Sequence, residues 1–278
     1  MPEMPEVEIL ARHLRPLLRG KTVRNVNVRR ERSTRPTPPR QLEKVLTGAR
    51  FKDLSRRGKY LLFELQTKGS AKTMTVLGHL GMTGRMFLAL KKEPLPSHAA
   101  VVFDLGEHHF VFEDWRYFGR MSLDLSPLDK LGPEPSDVSP KAFAESLKKS
   151  RQSIKVKLLD QELIAGVGNI YASEALFRAR ISPKRPANRL SPAQAKTLLL
   201  AVRDVLDDAV KFGSTVPLKT MSGKSHALFY FSDDGEGFYE KRLRVYDREG
   251  KPCLNCGTPI KRITQAARST YFCPRCQR

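Results

Sequence analysis

The sequence predicts an α+β protein of two domains: an N-terminal β-sandwich with flanking helices, and a C-terminal helical domain that ends in a metal-binding β-hairpin. Three observations carry this prediction. Apolar residues fall in short alternating or β-branched runs over 22–125 and then recur at helical spacing from 154 to 210. A stretch with four prolines, LSPLDKLGPEPSDVSP at 125–140, separates the two regimes. All four cysteines lie in the last 26 residues. The boundaries that follow are 1–130, 131–240 and 241–278, and a chain of 278 residues with 40% hydrophobic content is long enough to bury both cores.

The chain opens MPEMPEVEIL. Val7, Leu10, Leu14, Leu17 and Leu18 keep helical spacing, and Gly20 follows where a helix end favours positive φ. Proline suits a first helical turn and acidic residues complement the positive end of the dipole, so this helix is expected to begin at residue 2. Strands are expected at 22–28, 60–65, 73–80, 99–105, 108–114 and 120–125. Helical spacing returns over Ile154–Leu159 and Ile170–Phe177, with the glycine-rich turn LIAGVGN at 163–169 between them. Ser191 can cap and Pro192 can open a third helix that runs through Leu198 and Val210 to Gly213. Residues 214–240 then form a Gly- and Ser-rich stretch too long for an ordinary connector.

Charge bounds the partner. Fifty Lys and Arg against 29 Asp and Glu give a formal charge of +21, a surplus that repels itself unless a polyanion is the usual partner. Nucleic acid fits best. No stretch approaches the ~20 apolar residues of a spanning helix and the start lacks a signal-peptide pattern, so the expectation is a soluble cytoplasmic protein. Cys253-x2-Cys256 and Cys273-x2-Cys276, sixteen residues apart, have the spacing of a four-thiolate zinc site. Two disulfides are the alternative, which a reducing interior disfavours. A closed four-cysteine site holds structure and leaves no open position for chemistry. Residues 241–278 also carry ten Lys or Arg and two acids, as a phosphate-facing module would.

The N-terminus holds a second signal. Initiator methionine is removed ahead of proline, which would leave Pro2 as a free secondary amine. An α-amine has an ordinary pKa near ~8, against ~10.4 for lysine, so more of it is neutral and nucleophilic at cellular pH. A helix N-terminus among basic residues lowers that pKa further.

Along nearly the whole chain these pieces resemble the formamidopyrimidine-DNA glycosylases and, more broadly, their endonuclease VIII type relatives. MPEMPEVE is similar to the family's MPELPEVE start, RRGKYLLFEL to the segment with its lysine, and GVGNIYASEALF to its helix–two-turn–helix signature. GHLGMTGRM, LGPEP and QAARSTYFCPRCQR also look like family segments.

The resemblance implies a monomeric bifunctional glycosylase and abasic-site lyase of base excision repair, acting on damaged double-stranded DNA. It implies Pro2 as nucleophile, Glu3 as proton shuttle, and Lys59 and Arg268 as residues that hold phosphates and assist elimination. Met82, Arg116 and Phe118 would fill the gap left by an everted nucleotide, with Arg116 reading the orphaned base and Phe118 wedging into the stack. Asn169 and Lys155 would bind phosphate, and His98 and Lys149 would be further backbone contacts. One structural Zn2+ on Cys253, Cys256, Cys273 and Cys276 completes the set.

Three departures stand out. DWRYFG replaces the common DPRRFG, so Trp115 stands for a turn proline and Tyr117 for a second arginine. SHAAV at 97–101 lacks one of two histidines often seen there. The 214–240 stretch, with Phe229, Tyr230, Phe231, Phe238 and Tyr239, is longer than the family's usual loop over an everted purine. Oxidised purines are the expected substrates. Oxidised pyrimidines are an alternative that the atypical loop keeps open, and a non-catalytic damage-binding protein would not need Pro2, Glu3 and Lys59 together.

Overall fold

The computed structural model describes residues 2–213, 218–221, 227–231 and 239–278, with side chains in all of these except 218–221 and 227–231. The elements in chain order are α1 (Met4–Leu18), β1 (Asn25–Val28), α2 (Pro39–Leu46), β2 (Arg50–Arg57), β3 (Tyr60–Gln66), β4 (Thr73–His79), β5 (Arg85–Leu90), β6 (Ala99–Asp104), β7 (His108–Glu113), β8 (Arg120–Ser122), α3 (Pro140–Lys148), α4 (Ile154–Leu158), α5 (Asn169–Arg178), α6 (Pro192–Lys211), β9 (Leu218–Met221), β10 (Ala227–Phe231), β11 (Lys261–Gln265) and β12 (Arg268–Phe272). They form two compact units, Met1–Asp129 with Gly213–Gly237, and Lys130–Phe212 with Phe238–Arg278.

The first unit is a two-sheet sandwich. One sheet has the order β1-β6-β7-β5-β10-β9 and the other β2-β3-β4-β8, with antiparallel pairing throughout. Alternation explains the core: Phe51 and Leu54 from β2, Leu61, Phe63 and Leu65 from β3, Phe103 from β6, and Phe110 and Phe112 from β7 all point between the sheets. Phe51, Phe63, Phe103 and Phe110 meet edge-on or tilted, with centroids 5.4–6.3 Å apart. Helix α1 lays Val7, Leu10, Leu14 and Leu18 on the same core. The bidentate pair Arg15–Asp53, at 2.6 and 2.8 Å, also ties α1 to β2.

Several boundaries differ from the sequence expectation. Helix α1 begins at Met4, with Glu3 as its N-cap, so Pro5 occupies the first turn and Pro2 lies outside the helix. Strand β2 escapes the pattern because only Phe51 and Leu54 face inward while Arg50, Lys52, Asp53, Arg56 and Arg57 interrupt the apolar run. Strands β9 and β10, grouped by sequence with the helical segment, belong to a sheet of the sandwich, where β10 pairs with β5 at Leu228↔Leu88. The aromatic side chains at Phe229, Tyr230, Phe231 and Phe238 lie outside the described residues. Tyr239 is buried and packs against Tyr171 at 5.9 Å.

In the second unit α6 starts with a capping box, Ser191 Oγ accepting from Gln194 N–H at 3.2 Å and Gln194 Oε1 from Ser191 N–H at 3.0 Å. Helix α5 joins the helical body to the hairpin β11–β12. Phe177 packs with Val245, Ile260, Tyr271 and the buried cysteines. The fully enclosed Glu174 carboxylate accepts from the N–H groups of Arg244, Val245 and Tyr246 at 2.9, 3.0 and 2.8 Å. Burial pushes its pKa up, an effect these three bonds partly offset. Among the described residues no helix is long and apolar enough to cross a membrane.

Glu174→Ala would strand three N–H groups, and chemical denaturation is expected to show a loss on the order of 3 kcal/mol. A change under about 0.5 kcal/mol would mean that the apolar contacts alone hold the junction.

Candidate active site and metal centre

In the sandwich unit the N-terminal residues are held from the side of α1. Pro2 is partly buried and sits immediately before Glu3, which is 2% exposed. The Glu3 N–H donates to Glu6 Oε2 at 2.8 Å, which fixes the cap and leaves Pro2 beyond the positive end of the helix. One turn on, Glu8 accepts from Arg12 Nε at 2.7 Å and Arg56 Nε at 2.8 Å. Arg56 Nη1 in turn donates to the Gly58 carbonyl at 2.9 Å.

Gly58 and Lys59 form the two-residue turn between β2 and β3, since Arg57 pairs with Tyr60. Gly58 has φ +57°, the left-handed value that such a hairpin requires. The helix that follows Pro2 is therefore tied through Glu8 and Arg56 to the turn that carries Lys59, whose side chain is largely buried. His79, at the end of β4, completes this corner. Its Nδ1 accepts from Gly81 N–H at 3.1 Å and its ring tilts on Tyr60 at 4.8 Å. Burial, then the charges of Lys59 and Arg120, bring its pKa down to about 4, so it is neutral near Lys59 at physiological pH.

Two adjacent loops display the expected gap-filling residues. Buried Asp114 organises both: Oδ1 accepts from Thr83 Oγ1 at 2.6 Å and from Arg116 N–H at 3.2 Å, and Oδ2 from Gly119 N–H at 2.7 Å. Gly81, at φ +62°, approaches so closely that a Cβ there would meet Gly119 N at 2.5 Å. Met82, Trp115 and Phe118 are 43%, 52% and 44% exposed, unusual for side chains of this size. Tyr117 has φ +55°, and its hydroxyl lies 3.4 Å from His98 Nδ1. The Arg30 guanidinium stands over the Tyr117 ring at 5.6 Å, within the ~6 Å reach of a cation–π contact.

In the helical unit Asn169 is the first residue of α5. Its Oδ1 accepts from Lys155 Nζ at 2.6 Å, its carbonyl from the same ammonium at 3.2 Å, and its Nδ2 donates to the Ser269 carbonyl at 2.9 Å. Lys155 is fully buried and turned onto Asn169. Gln161 shapes the intervening turn by accepting from Gly166 N–H at 2.9 Å and donating to the Val167 carbonyl at 2.8 Å. Ser269 adjoins Arg268, which leaves a hairpin tip whose Ala266 and Ala267 both have positive φ, 48° and 58°. Lys149 caps the end of α3, exposed and outside this hydrogen-bond set. A cavity of about 470 Å³ at the far end of α5, lined in part by Arg178, Tyr239 and Arg242, contains none of these residues.

The four cysteine sulfurs lie within 4.8 Å of one another. Three of their separations are 3.9, 3.5 and 3.4 Å, close to the ~3.8 Å edge of a tetrahedron with zinc–sulfur bonds of ~2.3 Å. The Asn255 and Cys276 N–H groups point at Cys253 Sγ and Cys273 Sγ at 3.5 and 3.4 Å, as N–H groups do toward thiolates. An all-sulfur closed set of this geometry holds one structural zinc.

Sequence reasoning missed Glu8, Arg56, His79, Asp114 and Glu174. Each is a single polar residue whose role depends on how the chain folds around it, which leaves no periodic signal.

Comparison with known proteins accounts for almost the entire chain. Residues 1–121 match the Formamidopyrimidine-DNA glycosylase N-terminal domain, residues 131–220 its H2TH domain, and residues 250–278 the zinc finger found in FPG and IleRS. The formamidopyrimidine-DNA glycosylase of Thermus thermophilus is 43% identical over 291 residues, covering 100% of this chain and 98% of its own. That of Symbiobacterium thermophilum is 40% identical over 288 residues, covering 100% and 89%. A mutant of the Lactococcus lactis FPG, solved in complex with a Fapy-dG containing DNA, superposes with a TM-score of 0.87 at 33% identity over 100% of both chains. A second Lactococcus lactis structure, non-covalently bound to DNA containing an AP site, gives a TM-score of 0.87 at 32% identity over 99% of both chains. The chain belongs to the formamidopyrimidine-DNA glycosylase family.

Proposed function

We propose that this protein is a monomeric bifunctional DNA glycosylase and abasic-site lyase that removes oxidised purines, 8-oxoguanine and formamidopyrimidines, from duplex DNA in the cytoplasm. The observation that carries the reading is the placement of Pro2. It lies just ahead of a buried carboxylate, Glu3, at the positive end of α1, and α1 is tied through Glu8 and Arg56 to the turn bearing Lys59. A nucleophilic amine, a proton-transfer group and a cation are the three things the chemistry needs.

Once Met1 is gone, the Pro2 nitrogen attacks C1′ of the damaged nucleotide as the C1′–N bond to the base breaks. The departing base takes a proton, and Glu3 moves protons between the sugar ring oxygen and the leaving groups. Opening of the sugar gives an iminium between Pro2 and C1′. That cation withdraws electrons and acidifies the C2′ proton, so the 3′ phosphate leaves, followed by the 5′ phosphate from the conjugated intermediate. Lys59 stabilises phosphate charge as it develops.

Extrusion of the nucleotide leaves a gap in the stack. Met82 and Phe118 are apolar, exposed and held on loops locked by Asp114, as wedge residues must be, and Arg116 donates to the base left behind. In the helical unit Asn169, oriented by the buried Lys155 ammonium, and Arg268 on the hairpin hold backbone phosphates, with His98 and Lys149 as peripheral contacts of their respective units. The zinc fixes the hairpin and takes no part in the reaction.

Borohydride is expected to trap a covalent protein–DNA adduct on duplex containing 8-oxoguanine or an abasic site, and Pro2→Gly to remove most of it. A wild-type protein that traps nothing would sink the enzymatic reading. Cys273→Ser is expected to lower zinc content and duplex affinity together. Unchanged affinity in a zinc-depleted variant would reduce the hairpin to a structural staple.

A further inference from the structure

We infer that Trp115 is a positioning residue for Arg116: its indole and the Phe118 ring bracket the guanidinium and hold its planar fork ready for the base opposite an extruded nucleotide. This rests on the role proposed above for Arg116.

The guanidinium stands over both rings. The Arg116 Cζ lies 5.7 Å from the Trp115 ring centroid and 5.0 Å from that of Phe118. Both are inside the ~6 Å range over which an aromatic face attracts a cation. Neither ring is recruited by the core, since each is about half exposed. The backbone beneath them is fixed at several points: by the Asp114 carboxylate at Arg116 N–H and Gly119 N–H, and by Arg120 Nη1, which donates to the Tyr117 and Gly119 carbonyls at 2.9 and 2.7 Å. The left-handed Tyr117 breaks the regular alternation between Arg116 and Phe118. A rigid turn thus presents a ring, a guanidinium and a second ring from residues 115, 116 and 118.

Trp115 is also where this chain leaves the pattern it resembles. A proline at that position stiffens the turn but offers no face to a cation, whereas the single tryptophan of this sequence supplies the largest one available. An exposed arginine otherwise samples many rotamers and loses that freedom on binding. Restraint beforehand lessens the loss.

Orientation matters because a guanidinium only donates. Cytosine, the normal partner of guanine, turns two neighbouring acceptors, N3 and O2, toward the gap once its partner is extruded. Adenine presents one acceptor, N1, flanked by the N6 amino donor. A fixed fork pairs twice with cytosine and meets a donor on adenine, while a loose one can swing to a single bond with either. The effect of Trp115 therefore falls on discrimination between opposite bases rather than on affinity at large.

The test compares single-turnover excision of 8-oxoguanine opposite cytosine and opposite adenine for the wild type, W115A, W115F and R116A. The ratio of the two rates is read within each protein, so a uniform loss of folding or affinity cancels. W115A is expected to narrow the cytosine-over-adenine ratio about two- to fivefold, the scale of an exposed cation–π contact. W115F is expected to recover most of it and R116A to lose it. If R116A loses the preference but W115A keeps it, or W115F falls as far as W115A, the positioning role is overturned while Arg116 remains the reader. If the wild type excises without preference, or R116A keeps the preference, the underlying reading fails and this inference with it.

Discussion

The hydrogen bond between Glu8 and Arg56 joins residues 48 positions apart and, beside the Arg15–Asp53 pair, ties α1 to the strand that runs into the Lys59 turn. Apolar packing of Leu10, Leu14 and Leu18 holds α1 against the sheets, but a greasy stripe permits some sliding and rotation. A directed bond does not. Because Arg56 also grips the Gly58 carbonyl, the same guanidinium sets the helix that follows Pro2 and the turn that carries Lys59. Burial alone would raise the Glu8 pKa, yet the bonds from Arg56 and Arg12 outweigh it and leave the pKa lowered. The carboxylate is therefore ionised at neutral pH. Its contribution to stability is present above the ordinary carboxylate range and is lost as pH falls through the lowered value.

The helical unit solves a similar problem with a different pair of residues on one helix. Asn169 at the start of α5 reaches the Ser269 carbonyl of β12, and Glu174 further along gathers three N–H groups of the segment leading into the zinc module. These four hydrogen bonds fix a metal-stapled hairpin and the segment leading into it against α5, and Arg268 rides on that hairpin. Lys155, buried and directed at Asn169, orients the amide oxygen so that its nitrogen can donate to β12. A phosphate near Asn169 would meet an already ordered group.

Much of this was legible in the chain. The four cysteines specify their own metal, Ser191 and Pro192 announce α6, and the alternating or β-branched runs of β3, β6 and β7 mark buried strands, because each of these is a repeated or locally complete pattern. The less regular β2 was not legible, since its charged residues serve partners elsewhere: Asp53 binds Arg15 and Arg56 binds Glu8. The start of α1 shifted for a local reason, as Glu3 and Glu6 close a cap that excludes Pro2 from the helix. Asp114 and His79 were missed because one buried polar group among strands reads as noise until the loops it bonds are folded around it. Candidate site residues with a family resemblance were easy to name, whereas the residues that hold them were visible only in three dimensions.

A double-mutant cycle on Glu8→Gln and Arg56→Gln, read as the rate of borohydride trapping on abasic duplex, tests the dependence on this one bond most directly. A shared role requires that each single change slow trapping and that the double variant be little slower than the worse of the two. Rate losses that simply multiply would show that Glu8 and Arg56 act separately and that their bond does not hold the turn bearing Lys59.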